Sequence, residues 1–286
     1  MCSTCGCNAG KVVPITTANG RKTVMCTTCG CSPEEHDHDH GEGHHHHHDH
    51  DHDHDHNRVL RMVPGSKIIS VETDILARNN LLAMSNREIF AENGIFVLNM
   101  VSSPGSGKTT ILEKTLRDLS ATTSCATIEG DQQTDNDAMR IAATGVPVKQ
   151  INTGEACHLD ARMIENALSE FDLDNLDILF IENVGNLVCP ASFDLGENHK
   201  VVVLSVTEGE DKPLKYPQMF HASDVMLINK IDLLPHVDFD LAKCKKMALW
   251  VNPNITFFEV SAKTGEGMAD WYSWLAGGVR KHAAYG

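Results

Sequence analysis

Short apolar runs alternate with amphipathic stretches from residue 95 to the end of the chain. Seven runs of four to seven residues predict strands, at 95–101, 124–128, 148–151, 178–182, 201–206, 225–228 and 256–260. The stretches around them carry apolar residues at helical spacing and predict helices, at 108–119, 135–143, 159–170, 239–250 and 268–282. This alternation indicates an α/β fold, in which a mainly parallel sheet is covered by helices on both faces.

The pattern is different before residue 95. Residues 71–92 carry a partial apolar stripe and predict one helix, whereas residues 34–57 are nearly all His, Asp, Glu and Gly. The second segment cannot bury enough apolar surface to fold alone, so we expect it to be disordered. The predicted organisation is a Cys- and His-rich metal-binding tail at 1–57, a linker and N-terminal helix at 58–92, and a globular domain at 93–286.

Charge and composition exclude several classes of protein. The net charge is −15, but nine acidic residues lie at 34–55 without any Lys or Arg, so the rest is only mildly acidic. A basic surface for nucleic acid is therefore not indicated, and no apolar run approaches the ~20 residues that span a membrane. The N-terminus does not resemble a secretory signal. Cys-x-x-Cys pairs without such a signal indicate a reducing, cytoplasmic location.

A phosphate-binding loop follows the first predicted strand. Residues 102–110 match the Walker A pattern in its strand–loop–helix context, although Ser102 stands where the consensus has its first Gly. Lys108 would contact the β- and γ-phosphates, and the Thr109 hydroxyl would ligate Mg²⁺. A plain Gly-rich turn is the alternative, and the strand before and helix after the loop disfavour it. The predicted phosphate-binding residues are Gly105, Ser106, Gly107, Lys108, Thr109 and Thr110.

The base specificity is indicated by a second motif. An Asn-Lys-Ile-Asp sequence at 229–232 directly follows a predicted strand, where a guanine-reading motif belongs. The Asp232 carboxylate can accept hydrogen bonds from guanine N1–H and from the exocyclic amine, a donor pair that adenine lacks. The sequence therefore predicts GTP and GDP as ligands. The predicted base-binding residues are Asn229, Lys230 and Asp232, with Ser261, Ala262 and Lys263 in the loop after the last strand.

Two acidic residues at strand ends are candidates for the reaction itself. Asp131 follows the second strand, and Glu182 opens a Glu-Asn-Val-Gly sequence that resembles the γ-phosphate-sensing DxxG motif. Either carboxylate could hold Mg²⁺ or orient the attacking water. For Asp131, capping of the next helix is an equal alternative. We expect slow intrinsic hydrolysis, because no arginine finger is obvious after the phosphate-binding loop.

The tail carries metal-binding chemistry. It holds Cys-x-x-Cys-x-Cys at Cys2, Cys5 and Cys7, a second copy at 26–31, and twelve of the seventeen histidines at 36–56. Thiolate and imidazole ligands suit zinc, nickel and copper. The two cysteine clusters have nearly zinc-ribbon spacing, so one shared structural zinc is an alternative to two separate sites. The many overlapping histidine pairs favour storage or buffering, with a solvated acidic linker as the alternative.

A second group of metal ligands lies inside the globular domain. Cys157 and His158 are adjacent, and Cys189 follows shortly after the Glu-Asn-Val-Gly sequence. By itself this is weak evidence, because buried cysteines usually serve as small apolar residues. The position of Cys189 is informative, since DxxG-type segments move with nucleotide state.

Together these motifs resemble the hydrogenase-maturation nickel-insertion GTPases of the HypB family, which are SIMIBI-class P-loop GTPases. The resemblance covers the chain from about residue 71 to the end, plus the first cysteine cluster. The matching segments are 103–110, 129–131, 155–158, 182–190, 207–213 and 229–232.

The resemblance implies a Mg²⁺-dependent GTPase that dimerises with GTP and delivers nickel to the large subunit of [NiFe]-hydrogenase. It implies a HypA-type metallochaperone as partner. Catalysis would fall to Lys108, Thr109, Asp131 and Glu182. Nickel would bind Cys2, Cys5 and Cys7, and nickel or zinc would bind Cys157, His158 and Cys189 between two subunits.

Two other functions remain open at this stage. The urease accessory GTPase UreG has a similar phosphate-binding loop and guanine motif. That family carries Cys-Pro-His, whereas Cys189-Pro190 is followed here by Ala191. The other alternative is a nickel storage or buffering protein with a minor GTPase role, and intact Lys108 and Asp232 argue against it.

Overall fold

The computed structural model describes residues 12–16, 22–26, 64–131, 136–154 and 156–283. The chain divides into two compact units, residues 1–60 and 61–286. In the first unit, β1 (Val12–Thr16) and β2 (Lys22–Cys26) form an antiparallel pair in which Val12 lies opposite Cys26. The sequence analysis placed these residues in a disordered tail and did not predict either strand. Residues 34–57 lie outside the described part of the chain.

The second unit is built on a seven-stranded sheet in which every neighbouring pair is parallel, as predicted. The strand order is β5-β4-β6-β3-β7-β8-β9. The strands are β3 (Phe96–Ser102), β4 (Cys125–Asp131), β5 (Val148–Asn152), β6 (Ile178–Glu182), β7 (His199–Ser205), β8 (Val225–Asn229) and β9 (Thr256–Glu259).

Eight helices complete this unit over the residues that the structure describes. They are α1 (Pro64–Glu92), α2 (Lys108–Leu119), α3 (Asn136–Ala142), α4 (Ala161–Leu168), α5 (Lys212–Lys215), α6 (Pro217–Ala222), α7 (Leu241–Val251) and α8 (Met268–Ala283). The six helices predicted from the sequence are all present. Helix α1 starts at Pro64, seven residues earlier than position 71, because proline is favoured in a first helical turn, where its missing N–H costs nothing. Helices α5 and α6 were not predicted, because they are too short for a periodic pattern.

Alternation along β3 explains how one sheet supports two cores. Phe96, Leu98 and Met100 pack on one face with residues from α2 and α8, whereas Val97 packs on the opposite face against α1 and α4. Successive side chains of a strand point to opposite faces, so a strand buried on both sides is apolar throughout. This double burial fixes the sheet and leaves its carboxyl edge to carry polar loops.

None of the helices in the described residues is both long and apolar enough to cross a membrane.

Candidate functional site

The phosphate-binding loop connects β3 to α2 and has the backbone that the sequence predicted. Gly105 and Gly107 adopt left-handed φ angles of 79° and 91°, which glycine tolerates without a steric penalty. A Cβ at Gly107 would also come within 2.4 Å of the Asn229 amide. Ser102 replaces the consensus glycine without strain, because it is still part of β3 and pairs there with Val203.

The loop lines a cavity of about 550 Å³ at the carboxyl edge of the sheet. Ligands of open parallel sheets bind at this edge. The cavity brings together the predicted residues 105–110 and Asp131 with Glu129, Asp137, Arg140 and the loop 183–185. Gly185 of that loop lies close to the phosphate-binding loop, since a Cβ on it would approach the Pro104 ring within 3.2 Å.

Glu182, at the end of β6, accepts hydrogen bonds from both of the predicted phosphate and Mg²⁺ ligands. Lys108 Nζ lies 2.6 Å and Thr109 Oγ1 lies 2.5 Å from Glu182 Oε1. The glutamate is 1% exposed, and no group of the described residues hydrogen-bonds to its Oε2. This buried carboxylate therefore has an oxygen that can accept a further ligand.

Glu129, on the neighbouring strand β4, is a site residue that the sequence analysis quoted within a motif but did not select. It is 2% exposed, and its Oε2 also has no hydrogen-bond partner in the part of the chain that the structure describes. Burial, together with the nearby Glu182 carboxylate, raises the pKa of Glu129 to about 8. Two buried carboxylates with unused oxygens form a donor set that fits a hard cation such as Mg²⁺.

Asp131 and Asp137 lie on either side of residues 132–135. Asp131 ends β4 and lines the cavity. Residues 132–135, between Asp131 and the start of α3 at Asn136, lie outside the described part of the chain, so capping of this helix by Asp131 stays an alternative. Asp137 was not predicted, and its Oδ2 lies 3.0 Å from Thr109 Oγ1, the hydroxyl that donates to Glu182 at the shorter distance. The sequence did not single out Asp137, because this residue lies inside a helix rather than at a strand end.

An arginine from α3, which was not selected from the sequence, also reaches the phosphate-binding loop. Arg140 Nη2 donates to Thr110 Oγ1 at 3.0 Å and to Glu113 at 2.9 Å, and its Nη1 donates to Asp137 at 3.2 Å. The side chain lines the cavity. The sequence did not indicate this contact, because Arg140 and Thr110 are 30 positions apart and only the tertiary fold brings them together.

The base-recognition loops converge beside the phosphate-binding loop. The Asn229 amide donates to Ser106 O at 2.9 Å, and its Oδ1 accepts from Ala262 N at 3.3 Å. Ser261 Oγ donates to Asp232 Oδ1 at 2.6 Å and so orients this carboxylate. A second cavity, of about 180 Å³, is lined by Gly107, Thr110, Asn229, Lys230, Asp232, Leu233, Ala262 and Lys263.

Among the non-glycine residues that the structure describes, only Lys230 has a left-handed backbone, with a φ angle of 64°. Its Nζ donates to Gly105 O at 2.8 Å. The strained backbone of this residue is thus fixed by a contact with the phosphate-binding loop.

Cys157, His158 and Cys189 come together although more than 30 residues separate the first from the last. Their ligand atoms all lie within 4.8 Å of one another, and the three residues are half-buried. Burial and the neighbouring Cys189 thiol raise the pKa of Cys157, whereas burial lowers the pKa of His158. A neutral imidazole with two thiols is a donor set for borderline-soft metals. We call these three residues the thiol–imidazole triad.

The structure does not describe the side chains of the other predicted metal ligands. Cys2, Cys5 and Cys7 lie outside the described residues, as do Cys29, Cys31 and the histidines of 36–56. The backbone of Cys26 is described as the end of β2.

These features define a P-loop nucleotide-binding protein with guanine-type recognition loops. The family profile "CobW/HypB/UreG, nucleotide-binding domain" matches residues 96–259. The chain belongs to the HypB family of hydrogenase maturation factors. The HypB of Escherichia coli K12 is 61% identical over 209 residues, which are 73% of this chain and 72% of that protein. The HypB of Azotobacter vinelandii is 60% identical over 210 residues, 73% of this chain and 69% of that protein.

Solved structures of HypB proteins have the same fold. HypB from Helicobacter pylori, crystallised with nickel, is 42% identical and superposes with a TM-score of 0.68, covering 71% of this chain and 96% of that one. HypB from Archaeoglobus fulgidus is 41% identical with a TM-score of 0.67, covering 71% of this chain and 99% of that one.

Proposed function

We propose that this chain is a Mg²⁺-dependent GTPase that binds nickel and delivers it to the large subunit of [NiFe]-hydrogenase. The observation that carries the proposal is the position of Glu182. It binds the two residues of the phosphate-binding loop expected to act on GTP, and the segment that follows it carries Cys189. Nucleotide chemistry and metal binding therefore involve one continuous segment.

The phosphate groups of GTP fit the first cavity. Backbone N–H groups of 105–109 at the start of α2 favour negative charge, and the Lys108 ammonium neutralises charge on the β- and γ-phosphates. A bound Mg²⁺ would supply positive charge against the negative charge that develops during transfer. The Thr109 hydroxyl, Glu182 and Glu129 offer oxygens for this ion, and Asp131 is placed to ligate it or to orient water.

The second cavity supports guanine as the base. The Asp232 carboxylate, oriented by Ser261, would accept from two adjacent donors of guanine, and adenine would leave this half-buried acceptor unpaired. Charge-assisted hydrogen bonds of this kind contribute about 1.5–3 kcal/mol each. Two of them would favour GTP over ATP by a factor of roughly 10²–10⁴.

Nickel is the transferred metal in this proposal, and the thiol–imidazole triad is the site from which it is released. Three ligands leave room for a fourth from elsewhere. We propose that a second copy of the chain supplies it in a GTP-dependent homodimer, as the resemblance implies. Zinc fits the same ligands. The relative from H. pylori, crystallised with nickel, supports nickel as one metal of this family.

Three further expectations from the resemblance belong to the proposal. Cys2, Cys5 and Cys7 form a separate nickel site, a HypA-type metallochaperone is a partner, and the protein acts in the cytoplasm. The twelve histidines of 36–56 serve as a metal reservoir, because overlapping ligands give capacity rather than one geometry. The reservoir is therefore an addition to the GTPase function.

Phosphate release from GTP, measured with and without Mg²⁺, tests the enzymatic part. We expect hydrolysis that requires Mg²⁺ and is lost in Lys108→Ala, while nickel bound to the tail stays. Nickel transfer is tested by following ⁶³Ni from the loaded chain to a purified hydrogenase large-subunit precursor with GTP or GDP. Equal transfer with both nucleotides, or none, would contradict the proposed delivery.

A further inference from the structure

A chain of buried polar side chains begins at the residue after Glu182. Asn183 is 1% exposed. Its Oδ1 accepts a hydrogen bond from Leu159 N at 3.1 Å, and its Nδ2 donates to Asn99 Oδ1 at 3.2 Å. Leu159 directly follows His158. One amide thus joins the nucleotide-contacting end of β6 to the segment with the first two triad ligands.

The chain continues from Asn99 to a buried lysine. Asn99 Nδ2 donates to Glu197 Oε1 at 3.0 Å, and the same carboxylate oxygen lies 3.6 Å from Lys200 Nζ. Lys200 is 6% exposed, and its ammonium donates to the carbonyl oxygens of Pro190 at 2.9 Å and Phe193 at 3.1 Å. A buried ammonium is therefore used to hold two backbone groups of one loop.

That loop carries the remaining triad ligand. Pro190 directly follows Cys189, so the lysine fixes the backbone beside the cysteine. Phe193, the second carbonyl partner, packs against His158 with ring centroids 3.8 Å apart. Both ends of the chain of polar groups thus contact the residues that position the triad.

The burial of these groups makes their arrangement sensitive to changes at either end. An unpaired polar group costs far more in the protein interior than in water, and hydrogen bonds in such a network strengthen one another. A displacement of one member therefore forces its partner either to follow or to lose a bond. Such networks favour a few discrete arrangements over continuous deformation.

The nucleotide end has a clear cause for such a change. Lys108 and Thr109 both donate to Glu182 Oε1, and both are the groups that P-loop proteins use to bind phosphate and Mg²⁺. Binding of these ligands requires an exchange of hydrogen-bond partners at Glu182. Asn183 is the next residue, so its amide is the first group affected.

We propose that Asn183, Asn99, Glu197 and Lys200 form a relay that couples nucleotide binding to metal binding at the thiol–imidazole triad. Asn183 positions the His158 side of the triad, and Lys200 positions the Cys189 side. This inference rests on the proposed function, since it concerns how that same metal site is regulated.

The coupling is measured on the full chain from the nucleotide side, because binding linkage is reciprocal. Dissociation constants for GDP and for a non-hydrolysable GTP analogue are determined by nucleotide fluorescence, with and without Ni²⁺. The coupling factor is the ratio of these two dissociation constants in the presence of nickel, divided by the same ratio in its absence. A Cys189→Ser chain keeps the tail but lacks the complete triad, and it therefore corrects for nickel bound elsewhere. For the unaltered chain we expect a factor of about 5–150.

Two variants interrupt the relay away from the cavity. Asn99→Ala removes the middle link, and Lys200→Met with Glu197→Gln removes both buried charges together, so that neither is left unpaired. In each we expect the coupling factor to fall below about twofold, with nickel-free nucleotide affinities within about threefold of the unaltered chain.

The matched control is Thr115→Ala. Thr115 is 1% exposed, and its Oγ1 accepts a hydrogen bond from Trp271 Nε1 at 3.1 Å, a contact that involves no member of the relay. Its loss destabilises the fold in a similar way, and we expect the coupling factor to remain.

Each other result has a defined meaning. Undiminished coupling in both relay variants overturns the relay and leaves the proposed GTPase and nickel delivery intact. Equal loss in the Thr115→Ala control also overturns it, because coupling would then follow general stability. An unaltered chain without coupling overturns the relay, whereas phosphate release and ⁶³Ni transfer decide the proposed function separately.

Discussion

Glu129 and Glu182 lie directly opposite each other on the parallel strands β4 and β6. Both are at most 2% exposed, and each has an oxygen without a hydrogen-bond partner among the described residues. Two negative charges so deeply buried would repel each other, and Lys108 contacts only Glu182 at hydrogen-bonding distance among the described acidic residues. The divalent cation that we propose for this site would relieve this repulsion.

The first prediction concerns the charge of Glu129. Glu129→Gln keeps the shape but removes one oxygen ligand, so we expect Mg²⁺ affinity or GTP turnover to fall about 10–100-fold. The raised pKa of Glu129 means that the folded state binds its proton more tightly than the unfolded state. Its contribution to stability is therefore lost as pH rises from about 4.5 to about 8.

The measurement is thermal unfolding in chelator between pH 5 and 8, alongside turnover at fixed pH. The melting temperature of the unaltered chain should fall more steeply with pH than that of the variant. Parallel curves with unchanged turnover would show that Glu129 has neither effect.

The second prediction concerns base specificity. Asp232→Asn removes the carboxylate that pairs with two guanine donors, so we expect GTP affinity to fall by roughly 10²–10⁴. Xanthosine triphosphate should bind better than GTP, because the Asn amide can donate to the carbonyl that replaces the guanine amine. Competition between the nucleotides measures the change. Ser261→Ala, which only removes the orienting hydroxyl, is the control and should lose much less.

A third prediction concerns Arg140. This arginine lies at the phosphate cavity and is held by Thr110, Glu113 and Asp137. If its charge acts on the transferred phosphate, Arg140→Ala should lower the turnover number by at least about tenfold with little change in GDP affinity. Arg140→Lys should recover only part of the loss, since it lacks the planar fork. Unchanged turnover in Arg140→Ala would mean that the arginine only joins α2 to α3.

Cysteine reactivity distinguishes the triad from the core. Burial raises the pKa of Cys125 and of Cys244 to about 12, so neither forms appreciable thiolate at pH 8. Cys157 and Cys189 are half-buried. In metal-free protein we expect iodoacetamide to label these two but not the core cysteines, and nickel to slow the labelling. Peptide mapping by mass spectrometry measures each site separately, and labelling of Cys244 at the same rate as Cys189 would contradict the assignment.

The histidine tract is predicted to act independently of the nucleotide site. Deleting residues 34–56 should lower nickel stoichiometry, because it removes twelve imidazoles, while GTP turnover stays within about twofold of the full chain. Equilibrium dialysis and phosphate release measure the two quantities. Replacing the same segment with a Gly/Ser linker of equal length controls for the change in chain length. Loss of turnover in both would show that the tract belongs to the switch.

The sequence was sufficient to predict the main elements of the fold. Strands buried on both faces are continuous apolar runs, and turns rich in glycine, proline and polar residues separate them from the helices. All seven strands of the sheet were therefore predicted to within about three residues at each end. The start of α1 at Pro64 was missed because its first turns lack an apolar stripe. Helices α5 and α6 were missed because they are too short for a periodic pattern. The hairpin β1–β2 was missed because its strands are brief and lie among polar residues.

The sequence by itself determined the parts of the site that are contiguous. The phosphate-binding loop, the guanine motif and the Cys157-His158 pair each depend on local spacing, and a short segment with the right backbone can be read directly. Only the tertiary structure decided which distant groups meet. It placed Glu129 beside Glu182 and brought Arg140 to Thr110. It also brought Cys189 to Cys157 and His158, a group that the sequence indicated only through the family resemblance. It also linked Asn183 to Lys200 through a buried network. Strand order and side-chain packing create these contacts, and neither is encoded in the local pattern of any one segment.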